Sequence, residues 1–345
     1  MPWPQKRPFV AARELFGLGV YDLRMRVVWP VRVLFAGSAL AACVAAPRTE
    51  PPTHPTPAVA AGPTAAVSAS PPLTSANSSA PSEPVPRSCG ALGCLAFATP
   101  GAAFDYVLQS DPLVLAVGEA HAQDNTPGIP SSTRRFAEQL LPKVVGRAKH
   151  IVIELLLANC KQQTVEGVKK QQAPVTEHQA KTNQNEFVTL GKVAERLGIE
   201  PQGLTPDCPE YEAVVNAGED GVARLLALVA DQTAKGVEAL LAKPEGSASL
   251  VLTYGGALHN DLSPRPGQEA WSFGPKLALL TQNRYVALDL IVPEFVKDSE
   301  AWRNLPWFAA FDREHLSSET LLYQPEHNSF VLIFPKTERS PPQQL

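Results

Sequence analysis

Two apolar runs of strand length end in the same short motif. Residues 113–117 stop at Gly118 and deliver Glu119 and His121, reading LVLAVGEAH. Residues 249–254 (SLVLTY) feed Gly255, Gly256, Ala257, Leu258 and His259. Each end is Gly-x-x-His placed just past a β run. In open α/β sheets ligands sit at the carboxyl ends of strands, so a chain with two such ends is constrained towards a fold that brings them to one edge.

The remaining pattern agrees with that edge. Residues 150–157 (HIVIELLL) form a third β-rich run, interrupted by one carboxylate, Glu154. A buried, unpaired carboxylate costs several kcal/mol, so Glu154 needs an arginine, a metal or a polar strand end; a plain structural ion pair is the bland alternative. Residues 284–292 (RYVALDLIV) are a fourth run, carrying Asp289, whose expected role is structural pairing. Residues 329–334 read as a final antiparallel or edge strand, and residues 199–206, with their prolines, as a short edge strand.

Helices alternate with these runs. Residues 97–108 read as a short helix. Ser131 and Ser132 offer N-caps to a helix that Pro142 should kink or restart. Residues 161–184 are polar and without clear period, and His178 there reads as a surface residue. Phe187, Leu190, Ala194 and Leu197 mark an amphipathic helix; Val222 to Leu241 spans a long helix or a broken pair. The alternation predicts an α/β fold, a mainly parallel sheet flanked by helices, with a helical excursion between the second and third core strands.

The 34 prolines of the 345 residues crowd the N-terminal part, which reads separately from the globular body. Residues 1–42 read as a signal peptide, with Arg24, Arg26 and Arg32 before an apolar stretch of roughly ten residues, too short to span a bilayer. Met25 is a candidate start. Leu40-Ala41-Ala42-Cys43 reads as a lipobox, making Cys43 the lipidated residue and the membrane a partner through that anchor. Val44 after the cysteine points to an outer-membrane lipoprotein of the cell envelope. Residues 43–88 form a Pro/Ala/Ser-rich tether that cannot bury enough apolar surface to offset its ordering entropy. A single α/β domain is expected over 89–338. The net charge of −4 leaves no basic footprint for nucleic acid.

Cys89, Cys94, Cys160 and Cys208 remain, an even number in an exported chain. Of three possible pairings, Cys89 with Cys94 is expected, because Gly90 and Gly93 let so tight a loop close. Cys160 with Cys208 then pins the middle of the chain. The rival use of these thiols, a Cys/His metal site, lacks a Cys-x-x-Cys pair.

Glu119, His121, Glu154 and His259 come from three strand ends and form the candidate catalytic and metal-ligating set. Two imidazoles and two carboxylates suit Zn, Mn, Co or Fe. Such an ion lowers the pKa of its water and polarises a carbonyl; His121 acting as base without metal is the alternative. The bland reading makes both histidines polar caps on strand ends. Tyr254 is a candidate proton donor or iron ligand, and Asn260 and Asp261 are candidates to orient His259.

These residues resemble the superfamily of TIKI, TraB, ChaN and erythromycin-esterase proteins. The match lies in Gly118-Glu119-Ala120-His121, the acid on the next strand at Glu154, and Gly256-Ala257-Leu258-His259, over residues 113–292. The TIKI branch implies a metal-dependent hydrolase of amide or ester bonds, acting on a small-molecule or peptide substrate. The ChaN branch, whose members are bacterial lipoproteins, implies haem or iron binding without enzymatic activity. The erythromycin-esterase spacing, Gly-Glu-x-x-x-His, is not matched, and the second histidine cluster of the ChaN type is replaced by Ala122-Gln123-Asp124-Asn125. The family also implies an arginine, for which Arg134 and Arg135 are both candidates.

Overall fold

The computed structural model describes residues 85–157, 159–243 and 249–338. The signal segment, Cys43 and most of the expected tether lie outside the described residues. Among those described, nine strands form one sheet: β1 (Arg87–Ser88), β2 (Leu95–Phe97), β3 (Val114–Glu119), β4 (Ala148–Leu156), β5 (Glu200–Leu204), β6 (Leu250–Gly256), β7 (Tyr285–Ile291), β8 (Thr320–Glu326) and β9 (Ser329–Ile333). Their order is β1-β2-β8-β9-β7-β3-β6-β4-β5. From β5 through β4, β6, β3 and β7 to β9 every neighbour pair is parallel. β9 with β8, β8 with β2 and β2 with β1 are antiparallel. The fold is α/β, with helices covering both faces of the parallel part.

The strands are legible because their two faces are both apolar, as buried parallel strands require. On one face Leu115 and Val117 of β3, Leu252 and Tyr254 of β6, and Ile151 and Ile153 of β4 are buried in one cluster. That face is packed by α1 (Pro100–Leu108), by a helix beginning with α2 (Ser132–Arg135), and by α4 (Asn183–Arg196). On the other, Val114, Ala116, Val152 and Val251 meet the long helix α6 (Gly221–Leu241) and α7 (Gly274–Leu280). Each such side chain contributes about 1.5–3 kcal/mol on burial, which is why the apolar runs select strands here over any weaker local preference.

The remaining helices sit where their caps and breakers place them. Thr99 caps α1 by accepting from the Ala102 amide, 3.1 Å, with Pro100 at the first turn. The helix begun by α2 widens to a π turn over Phe136–Leu140 and tightens to a 3₁₀ turn over Leu141–Val144, so Pro142 restarts it instead of breaking it. The polar segment after β4 folds as α3 (Gln162–Thr176), with Pro174 inside it. A capping box of Asp207 and Glu210 starts α5 (Cys208–Val215), and α8 (Glu300–Arg303) is a single turn.

Three sequence expectations need correction. Residues 329–334 pair antiparallel with β8 as one of the two expected readings has it, but they are not an edge: β9 lies inside the sheet, parallel to β7 on its other side. β8 and β1 carried no periodic apolar run and were not expected. The expected helix at 97–108 begins only at Pro100, because Leu95–Phe97 pairs with β8 as β2. Two disulfides form, Cys89–Cys94 and Cys160–Cys208. The second ties the start of the excursion at α3 to the first residue of α5. No described helix is long and apolar enough to cross a membrane.

Candidate functional site

β3, β6 and β4 are consecutive in the sheet, and their carboxyl ends bring the sequence-selected residues together. Glu119 is the last residue of β3 and is in register with Gly256, the last of β6. Glu154 escapes the ladder at a register shift: β4 pairs with β5 up to Ile153 and resumes only at Leu156. A bulge of this kind re-aims a side chain, and Glu154 turns back over β6, where its Oε2 accepts from the Gly256 amide, 2.6 Å. His259 follows in a turn closed by its own amide to the Gly256 carbonyl, 3.0 Å.

Both imidazoles are oriented by their Nδ1 atoms. His121 Nδ1 bonds Glu119 Oε1 at 2.8 Å. His259 Nδ1 lies 2.7 Å from the Trp271 carbonyl oxygen, which can only accept, so this nitrogen carries the proton. The two Nε2 atoms are thereby left facing the mouth. His259 Nε2 is 3.8 Å from Glu154 Oε1. A methyl group placed on Gly256 would meet His121 Nε2 at 3.3 Å, Glu154 Oε2 at 3.6 Å and His259 Cδ2 at 3.8 Å. One point above Gly256 therefore touches all three side chains, and only glycine keeps that point open.

Glu119 plays a different part from the one its sequence position implied. Its side chain is 1% exposed; Oε2 accepts from Thr133 Oγ1 at 2.6 Å and from the Tyr254 hydroxyl at 2.5 Å, while Oε1 holds His121. Its oxygens are engaged by these three groups, so it stands behind His121 instead of facing the mouth. Among the described residues, no three His, Cys, Asp or Glu side chains are grouped closely enough to share one metal ion. Thr133 was missed by sequence reasoning; the only signal was its place in the first turn of the helix after the first motif.

The electrostatics follow from these contacts. Burial pulls the His121 imidazole down, but the hydrogen bond and charge of Glu119, with the charge of Glu154, outweigh it and hold the pKa above its usual 6.5. Burial, reinforced by Glu119, holds the Tyr254 phenol well above its ordinary value. On the opposite face of the sheet, burial pushes Asp289 of β7 up to about 7, opposed by its bond from Asn260 Nδ2 at 3.1 Å.

Other sequence candidates go elsewhere. Arg134 is exposed and pairs with Glu138 at 2.8 Å. Arg135 is buried, donating to the Pro130 and Pro335 carbonyls and to Thr337 and lying 5.1 Å over the Phe334 ring. It clamps the segment after β9, and neither arginine reaches the mouth. Asn260 does not orient the His259 ring; it donates to the Ala116 carbonyl and Asp289 on the far face. Asp261 accepts from the Ser263 amide, and the ring-orienting role falls to the Trp271 carbonyl.

The excursion packs beside the first motif. The Ala180 amide and Asn183 Nδ2 both donate to the Ala122 carbonyl, at 2.8 and 3.2 Å, just past the first motif. Phe187 of α4 stands 6.1 Å from the His121 ring and 5.8 Å from that of Tyr254. Ser131 hydrogen-bonds Glu186, joining α4 to the cap of α2.

No family model matches the chain, and no curated protein matches it. Two solved structures are similar at low level. The type III effector HopBA1 has a TM-score of 0.34 and 11% identity, covering 69% of this chain and 96% of its own. A protein from Bacillus cereus has a TM-score of 0.32 and 9% identity, covering 69% and 93% respectively.

Proposed function

We propose that this chain is a hydrolase of ester or amide bonds in a small-molecule or peptide substrate, anchored in the cell envelope, at the outer membrane, through Cys43. The observation that carries the reading is the orientation of the two rings: each Nδ1 is tied to an acceptor, and each Nε2 is turned towards the space beside Glu154. The motifs Gly118 to His121 and Gly256 to His259 also resemble those of TIKI-type proteins.

In this reading Glu154 takes a proton from water as the water oxygen attacks the substrate carbonyl carbon. His121, whose pKa is raised, is the general acid: its Nε2 proton passes to the leaving oxygen or nitrogen as that bond breaks. Glu119 stabilises the imidazolium, as a carboxylate behind a catalytic histidine does. His259 borders Glu154 and fixes where the water or substrate oxygen sits.

A second reading involves a divalent ion. A neutral His259 presents the Nε2 lone pair to a carboxylate oxygen 3.8 Å away, and histidines with an anchored Nδ1 are typical of metal sites. His121, Glu154 and His259 would be the ligands, with Glu119 and the Trp271 carbonyl behind them; the ion would supply a more acidic bound water. The acid–base scheme above involves no metal step. For haem, the Tyr254 hydroxyl is already engaged by Glu119.

The test is a hydrolysis screen of the purified chain against aryl esters and peptide amides, with and without chelator and added Zn or Mn. Glu154→Gln and His121→Gln should each lower the rate by about 100-fold or more. Activity lost to chelator and restored by metal selects the second reading. Activity unaffected by either substitution would sink both.

A further inference from the structure

Next to the mouth, reaching towards the face of the sheet opposite Glu119, lies a small, partly enclosed space. It is about 10 Å³ in volume and bordered by Glu154, Thr253, Gly255, His259, Asn260 and Phe273. Two of these residues carry unsatisfied polar atoms: Thr253 Oγ1 and Asn260 Oδ1 are buried without a hydrogen-bond partner. The residues themselves are 2% and 1% exposed. The Asn260 orientation is fixed by chemistry, because its Nδ2 faces two acceptors, the Ala116 carbonyl and Asp289 Oδ1, each at 3.1 Å. The amide cannot flip without setting oxygen against oxygen, so Oδ1 must find a donor elsewhere.

An orphaned buried oxygen costs about 1–3 kcal/mol, and here two belong to residues that line the same space. That space matches the room one water needs, about 10–15 Å³ by this measure, with two to four polar partners around it. We infer that this cavity is a binding site for a single water molecule, which donates to Asn260 Oδ1, pairs with Thr253 Oγ1 and borders Glu154 and His259. An apolar occupant would leave both oxygens unpaired, and a larger one would not fit. The space shares Glu154, Gly256 and His259 with the mouth, but the two orphaned oxygens belong to Thr253 and Asn260, which the proposed hydrolysis does not use.

A crystal structure of the full chain, at a resolution that shows ordered solvent, tests this directly. One isolated peak within hydrogen-bond distance, about 2.6–3.2 Å, of both Thr253 Oγ1 and Asn260 Oδ1 is expected. No peak, or both oxygens paired with protein donors, overturns the inference. A second measurement turns on sign. If the water is bound, Thr253→Val strips it of a partner and lowers the urea midpoint. If the cavity is dry, valine replaces an unpaired hydroxyl by a methyl of the same shape, and the midpoint rises or stays unchanged, which also overturns the inference.

Discussion

A carboxylate that accepts from two hydroxyls and one imidazole is held in a single pose, and Glu119 is held so by Thr133, Tyr254 and His121. Glu119→Gln keeps the shape but removes the charge that raises His121. The His121 pKa should therefore fall, measured by NMR titration, and any hydrolysis should fall with it by about 100-fold or more. Tyr254→Phe removes one of the two hydroxyls that share the Glu119 charge and should leave the His121 pKa unchanged or slightly higher; a His121 titration unmoved by Glu119→Gln would contradict the arrangement. Asp289 offers a separate test. Its folded pKa, about 7, lies above the unfolded value near 3.8, so its contribution to stability is complete below pH 3.8 and is lost as pH rises towards 7. Asp289→Asn keeps an acceptor for Asn260 and removes the titration. It should flatten this part of the stability profile and raise stability at pH 8, by an amount on the order of a few kcal/mol. Urea unfolding across the pH range reads both effects.

At the scale of elements, close packing between β3 and the turn after β6 depends on Gly118. A methyl there would lie 2.6 Å from the Ala257 Cα and 2.8 Å from both Asn260 Nδ2 and Asp289 Oδ1. Gly118→Ala should cost about 1–3 kcal/mol through overpacking, visible as a lowered denaturation midpoint. The excursion beside the first motif is closed at its base by Cys160–Cys208. Replacing both cysteines by serine should cost about 2–4 kcal/mol and hasten proteolysis within α3 and α4; equal cleavage rates would mean that their contacts with residues 122–124 suffice alone. The elements most legible in the sequence were those buried on two sides. β3, β4, β6 and β7 read as apolar runs because both faces meet helices. β8 and β1 did not, since their pairing is decided by partners distant in sequence, and residues 161–184 hid α3 because few of its residues are buried. β9, read as an antiparallel or edge strand, is antiparallel to β8 and lies inside because β7 pairs along its other side.

Over the whole molecule, strand order makes the mouth. β3, β6 and β4 lie side by side although they are far apart in the chain, and that adjacency brings His121, Glu154 and His259 around one point above Gly256. The sequence named all three residues from motif and context, because strand ends in a parallel sheet share an edge. It could not tell a residue that faces the mouth from one that stands behind it. That difference is set by hydrogen bonds from Thr133 and Tyr254, and by the bulge that turns Glu154 out of its ladder, neither of which leaves a local pattern. The same limit misplaced Arg134, Arg135, Asn260 and Asp261, whose partners lie on other elements. The most direct measurement of the central claim is a long-range proton–nitrogen correlation spectrum of the histidine rings in the full chain, before and after Glu154→Gln. His259 should carry its proton on Nδ1, His121 should titrate above 6.5, and loss of the Glu154 charge should lower the His121 pKa and shift the His259 Nε2 resonance. A proton on Nε2 of a neutral His259, with neither ring responding to the substitution, would contradict the account.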